Sequence, residues 1–249
     1  MLIAAISVLI AAVQADSSAI NRAIGNPSRS ETYQALDANR QPAAILSFAG
    51  LRPGMQVLDV GTGGGYFTEI IADAVGPDGA VTGWNGPAFA ARPNVRQALA
   101  RIRERHPATT YFATPTTSMA LPRQKFDLVL LHLFYHDFYW ESADFGLAKV
   151  EPRIVAAEIF AATKPGGRVV VVDHVAAGGR DTRVEVDATH RIDPAVVRAD
   201  FEAAGFLFDG ESDLLRRADD DHRLRVFNPA IRGRTDRFMF RFKKAGGSQ

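Results

Sequence analysis

Val57-Leu58-Asp59-Val60-Gly61-Thr62-Gly63-Gly64-Gly65-Tyr66-Phe67-Thr68 is the stretch whose reading decides the fold. Met55 to Val60 is a short apolar run that reads as a buried strand, and Tyr66 to Val75 places Phe67, Ile70, Ile71 and Ala74 on one face at helical spacing. Between them lies a glycine turn. A strand that passes through such a turn into a helix brings backbone close to a ligand, with the first helical N–H groups aimed at it. A dinucleotide site needs G-x-G-x-x-G, and the last of those positions is Tyr66 here, so what stands is G-x-G-x-G preceded by Asp59. A helix cap or a plain tight turn would account for Asp59 or for the glycines, but not for both directly after the first apolar strand.

Outward from this turn, strands and helices alternate. Pro42 to Ala49 reads as an amphipathic helix ended by Gly50, and Gly76-Pro77-Asp78-Gly79 leads into a second strand, Ala80 to Trp84. Ala98 to Arg105 is helical, Thr109 to Ala113 strand-like, and Phe126 to Leu131 a continuous apolar strand. Arg153 to Thr163 forms a helix stopped by Pro165-Gly166-Gly167, before the β-branched strand Arg168 to Asp173. Pro194 to Ala204 is a helix with Gly205 past its end, and Arg237 to Lys243 puts Phe238, Phe240 and Phe242 on one strand face. Alternation of this kind, with strands apolar on both faces, predicts one α/β domain with a doubly wound, mostly parallel sheet. Seven strands are expected, the last antiparallel, in a domain spanning 16–249 whose residues 16–50 are an N-terminal helical extension.

The composition agrees. The 249 residues are 47% hydrophobic and 23% charged, which excludes collagen-like, low-complexity and disulfide-framework classes. A formal net charge of +1, from 29 basic and 28 acidic residues, lacks the basic excess of a nucleic-acid binder. With no Cys, thiolate nucleophiles, zinc–thiolate sites and iron–sulfur clusters are excluded together. Leu2 to Val13 is apolar but too short for a membrane span, which needs roughly 20 residues. It suits the core of a secretory leader, with Val13-Gln14-Ala15 as its cleavage end, although no Lys or Arg precedes it. Residues 1–15 are therefore expected to be a signal peptide and the mature chain to be exported; a retained leader would instead be a buried helix of a cytoplasmic protein.

The glycine turn with Asp59, Arg52-Pro53-Gly54 before it and Phe126-Asp127-Leu128-Val129 after it, resembles the class I S-adenosylmethionine-dependent methyltransferases. With Phe201-Glu202-Ala203-Ala204-Gly205-Phe206 and the Phe-rich last strand, the ordering is most similar to small predicted members of unassigned substrate. The resemblance implies a Rossmann-like fold, S-adenosylmethionine as cofactor and a small or medium-sized acceptor. It implies that Gly61, Gly63 and Gly65 line the amino-acid end of the cofactor, that Asp59 receives its ammonium group, and that Thr62 lies in the same turn. His132, at the fourth strand's end, falls on the cofactor side as well. The chain departs from the family pattern at two places: Asn85 stands where an acidic residue meets the ribose, and Thr117-Ser118 where Asp-Ala lies near adenine. An uncharged Asn bonds a diol less strongly than a carboxylate.

Ligands of open α/β sheets lie beyond the carboxyl ends of the strands. The fourth strand runs out into His132-Leu133-Phe134-Tyr135-His136-Asp137-Phe138-Tyr139-Trp140, the fifth into Asp173-His174, and His190-Arg191 follows in the next segment. Polar groups among aromatics suit an acceptor pocket with a titratable group inside. His136 is expected to be the acceptor-side base or orienting group with Asp137 beside it, and His174 the reserve for that role. His136, Asp137, His174 and His190 are also residue types that hold a divalent metal, but no tight spacing such as H-x-x-x-H occurs, and no metal is expected. The rival functions are a non-catalytic binding protein of the same fold, suggested by Asn85 and Thr117, and a nicotinamide oxidoreductase, which Tyr66 disfavours.

Overall fold

The strand valines settle the layering. In the computed structural model, which describes residues 17–247, Val169 and Val171 point to one side of the sheet and Val170 and Val172 to the other, all of them fully buried. Burial on both faces is what a parallel sheet flanked by helices requires. The strands are β1 (Gln56–Val60), β2 (Ala80–Trp84), β3 (Thr110–Phe112), β4 (Phe126–His132), β5 (Thr163–His174), β6 (Leu207–Glu211) and β7 (Arg237–Lys243). They form one seven-stranded sheet in the order β3-β2-β1-β4-β5-β7-β6. Neighbours from β3 to β5 pair in parallel, while β7 is antiparallel to both β5 and β6. The expected fold class is the observed one.

The helices are α1 (Pro42–Ala49), α2 (Tyr66–Val75), α3 (Pro93–Arg105), α4 (Pro152–Ala162), α5 (Thr182–Thr189) and α6 (Pro194–Ala203), with residues 17–24 also helical and single turns elsewhere among the described residues. α1 and α2 cover one face, where Ile45, Leu46, Phe67, Ile70 and Ile71 pack on Val57, Leu128 and Leu130. α4, α5 and α6 cover the other, where Ile159, Val186 and Phe201 meet Val129, Leu131 and the phenylalanines of β7. Strand order reverses between β1 and β4, so the crevice for a ligand opens beyond Val60 and His132.

Four local differences from the sequence reading have physical causes. α3 starts at Pro93, since proline's fixed φ suits the first helical position. α5 is a further helix, begun by Asp181, whose side chain accepts from the N–H groups of Arg183 and Val184. β5 begins at Thr163, before Pro165-Gly166-Gly167, because the register jumps from Phe126–Thr163 to Leu128–Arg168 and so absorbs those residues in an irregularity. β6 lacks an alternating pattern, being half exposed and bulged between Phe208 and Gly210. The expected leader, residues 1–15, lies outside the described residues. No described helix is long and apolar enough to cross a membrane.

Candidate active site

The glycine turn sits at the exit of β1. Gly61, Gly63 and Gly65 have φ of 71°, 59° and 93°, the left-handed region that side chains resist. Each glycine has its own surroundings. A Cβ on Gly61 would lie 2.2 Å from the Phe134 ring and one on Gly65 2.3 Å from Ile102, whereas one on Gly63 would meet no side chain within 4 Å. Gly61 and Thr62 donate to the Trp84 carbonyl, Gly65 to the Thr62 carbonyl and Gly63 to Asn85 Oδ1. Most of the turn's N–H groups are thus taken by the chain itself, so the turn does not present the row of free donors a pyrophosphate needs.

Asp59 is buried at the floor of this turn. Its Oδ2 accepts from Thr68 Oγ1 at 2.6 Å and Thr62 Oγ1 at 3.0 Å, and those two hydroxyls touch one another. Burial pushes its carboxyl above the usual range, against the two hydroxyl bonds and the charge of Arg40. The N-terminal extension roofs the turn. Tyr33 donates to the Gly64 carbonyl at 2.6 Å, and Tyr66 donates to Asp37, which Arg29 holds by a bidentate pair. The Arg40 guanidinium lies 4.3 Å from the Tyr66 ring centre, with its pKa lowered by burial.

Beyond β4 the chain makes a 3-10 turn, Tyr135–Tyr139, pinned from below because Tyr135 and Tyr139 both donate to Asp200 on α6. The turn carries His136 against the end of β5, where Asp173 accepts from the His136 backbone N–H at 3.0 Å and pairs with its Nδ1 at 2.8 Å. On the other side, His136 Nε2 lies 3.3 Å from Asp137. Burial disfavours charge on this ring, but Asp173 and Asp137 outweigh it and hold its pKa up to about 9. At neutral pH the imidazole is therefore protonated, a donor rather than a proton acceptor, which narrows its expected role to orientation. His174, whose Nδ1 pairs with Thr235 at 2.7 Å, is pushed well below its ordinary value by burial and by the neighbouring positive charge of His136, and is neutral. His190 caps α5 in a left-handed conformation and turns its ring toward His136 and Trp140.

The family comparison spans the glycine turn and the β4 and β5 exits, and leaves out the N-terminal extension that carries Tyr33 and Arg40. A family model described as a methyltransferase domain matches residues 51–204, well over half of the chain. The chain belongs to the class I S-adenosylmethionine-dependent methyltransferase family. Among curated proteins it is similar to the ubiquinone/menaquinone biosynthesis C-methyltransferase UbiE of Burkholderia cenocepacia, 30% identical over 137 residues, which cover 53% of this chain and 48% of that protein. The chain thus spans about half the length of the curated relatives it matches. A S-adenosylmethionine-dependent methyltransferase of Aquifex aeolicus has the same fold, with a TM-score of 0.58 at 17% identity over 91% of this chain and 97% of that one. Phosphoethanolamine N-methyltransferase 2 of Haemonchus contortus, solved with S-adenosyl-L-methionine, aligns with a TM-score of 0.57 at 17% identity, over 88% of this chain and 58% of its own.

The family's cofactor is S-adenosylmethionine, and the methyltransferase turn seen here fits it. Gly63 faces open space, and among the described residues neither the buried Asp59 nor the part-buried Arg40 makes a salt bridge. An α-amino acid end brings an ammonium for Asp59 and a carboxylate for Arg40, which here feel each other's charge without direct contact.

The structure brings Asp59, Gly61, Thr62, Gly63, Gly65 and Asn85 together at the turn, but Asn85 is committed there. Its amide both accepts from Gly63 N and donates to the Gly63 carbonyl, each at 3.0 Å. Thr117 and Ser118 are exposed in the turn after β3. His132 packs at a tilt against Phe67 with ring centres 4.6 Å apart, and its buried Nε2 has no hydrogen-bond partner among the described residues. His136, Asp137 and His174 gather at the β4 and β5 exits with His190. Tyr33 and Arg40 joined the site unread, while Asp173, a carboxylate ending a run of four valines, was legible as the end of the fifth strand but not as the partner of His136.

Proposed function

We propose that this methyltransferase binds S-adenosylmethionine at the β1–α2 turn and methylates a small or medium-sized acceptor seated at the mouths of β4 and β5. One observation carries the reading: a charge-complementary glycine turn, with most of its N–H groups already spent, stands next to a cluster of His and Asp on the adjacent strand exits. The cofactor supplies a methyl group on a sulfonium, which an acceptor takes in an in-line displacement. The chain's own task is placement. Asp59 meets the ammonium charge and Arg40 the carboxylate, while Tyr33 and Tyr66 close over the turn and keep water out. His136, fixed by Asp173, and its neighbours Asp137 and His174 orient the acceptor. Holding two reactants in line removes about 7–11 kcal/mol of barrier without any acid or base. Trp140 and Phe227 against His190, with Phe145 on Trp140, favour an acceptor with a flat apolar body.

The test uses methyl-labelled S-adenosylmethionine, the purified chain and a fractionated pool of small molecules. Label should move to one fraction with stoichiometric release of S-adenosylhomocysteine. If the cofactor binds but no fraction ever accepts label, the chain is a binding protein and the reading fails.

A further inference from the structure

Metal ligands distant in sequence meet at the acceptor side. His136 Nε2 and Asp137 Oδ1 come from the 3-10 turn after β4, His190 Nδ1 from the end of α5, and all three atoms lie within 4.8 Å of one another. His136 Nε2 is 3.3 Å and His190 Nδ1 3.7 Å from Asp137 Oδ1. Two ligand atoms each about 2.1 Å from a tetrahedral cation stand about 3.4 Å apart, so the cluster needs only a slight contraction to hold one. We infer that His136, Asp137 and His190 form a binding site for a single divalent transition-metal cation, with zinc the representative species.

Three independent features support the site. Two imidazoles and one carboxylate are the donor set that zinc and non-haem iron take, with further positions left open; magnesium and calcium prefer oxygen alone. Asp173 holds His136 Nδ1 at 2.8 Å, the carboxylate–histidine pairing that orients a ligand imidazole and aims Nε2 at a metal, where the cation takes the place of the proton that Nε2 otherwise carries. His190 is 2% exposed, and its Nδ1, facing Asp137, makes no hydrogen bond. Buried polar atoms left in that state are rare.

Arg225 works against the cation. Its guanidinium lies 2.6 Å from His190 Nε2, and a guanidinium only donates. That contact leaves the His190 proton on Nδ1, toward Asp137. A cation at Nδ1 moves this proton to Nε2 and obliges Arg225, an exposed side chain, to swing away. Arg225 is thus a competitor for the site.

If the chain transfers methyl groups as proposed, the open positions on the cation receive an oxygen of the acceptor beside Trp140, which points to a hydroxyl- or enol-bearing substrate. That extension rests on the methyl-transfer reading; cation binding does not.

The decisive experiment titrates the chelator-stripped, full-length chain with Co²⁺ in the absence of S-adenosylmethionine, reading visible absorption, with Zn²⁺ calorimetry alongside. One Co²⁺ per chain is expected, with an absorption spectrum of nitrogen and oxygen ligation. Asp137→Asn and His190→Ala should each weaken binding at least about tenfold, Asp173→Asn about 10- to 100-fold, and Arg225→Gln should tighten it. Circular dichroism checks that each variant folds; should His190→Ala fail, Asp137→Asn, whose side chain is 21% exposed, carries the comparison. Absence of saturable binding in the folded wild type, or undiminished binding in folded Asp137→Asn, would overturn the site. Either result leaves binding of S-adenosylmethionine, measured separately, free to stand or fall.

Discussion

Replacing Arg191 by Met probes how the loop after β6 is anchored over the acceptor side. The Arg191 side chain is fully buried between the β5 exit and that loop. Its Nε donates to the Leu224 carbonyl at 3.1 Å, one terminal nitrogen to the Val175 carbonyl at 3.1 Å and the other to Asp220 Oδ1 at 2.9 Å. Asp220 in turn accepts from the backbone N–H groups of Asp236 at 2.7 Å and His222 at 3.1 Å. Met fills a similar apolar volume but leaves the Asp220 carboxylate buried with backbone donors alone. Breaking one side of such a pair costs about 3–5 kcal/mol, which in a chain of this size lowers Tm by roughly 6–20 °C. Arg191→Met/Asp220→Asn should recover part of the loss, with a coupling of at least about 1 kcal/mol, because the stranded charge is gone while the backbone donors keep an acceptor. Urea unfolding followed by circular dichroism measures all three variants. A single variant within about 1 kcal/mol of wild type, or two single effects that simply add, would refute this account of the loop.

Other outcomes follow from the same structure. Gly61→Ala should abolish folding or nearly so, since its Cβ meets the Phe134 ring, whereas Gly63→Ala should cost only about 1–2 kcal/mol of backbone strain yet lose cofactor affinity; thermal melts and calorimetry separate the two. Burial raises the carboxyls of Asp37, Asp220 and Asp236, but their hydrogen bonds to Arg29 and Tyr66, to Asp236 N and Arg191, and to Arg216 outweigh it and leave all three lowered. Their stabilisation is complete above the unfolded carboxylate value of about 3.9 and is lost as pH falls through the folded values, so urea midpoints should drop steeply below about pH 4; a flat profile there would contradict the network. N-terminal sequencing of natively expressed protein should begin at Asp16, and an intact Met1 in the soluble cytosolic fraction would make the leader a structural helix.

The fold was legible because its signals are local. The strand at Met55–Val60, the glycine turn and the apolar face of Tyr66–Val75 each announce themselves within a dozen residues, and the β7 phenylalanines alternate cleanly. β6 was not legible, since half-exposed positions and a bulge erase the alternation. Half of the site was legible for the same reason as the fold: Asp59 and its glycines form one contiguous motif. The other half depends on long-range geometry. Asn85 looked like a free ligand because nothing in sequence shows its amide bracketing Gly63. His136 looked like a base because its companion on the far side, Asp173, is 37 residues away. A metal was not expected because ligand spacing was sought within one segment, whereas His190 reaches Asp137 only once α5 folds back on the 3-10 turn.

The central claim is that the turn after β1 binds S-adenosylmethionine through opposite charges. Isothermal calorimetry of the full chain with S-adenosylmethionine, S-adenosylhomocysteine and NAD, in wild type and Asp59→Asn, tests it directly. The account predicts saturable one-to-one binding of both methionine-derived ligands to wild type and none of NAD. Asp59→Asn, which removes a buried charge that burial already disfavours, should fold at least as stably. It should nevertheless bind S-adenosylmethionine about 10- to 150-fold more weakly, the loss of one charge-assisted contact. Heat with NAD and none with S-adenosylmethionine, or equal affinity in the two proteins, would contradict it.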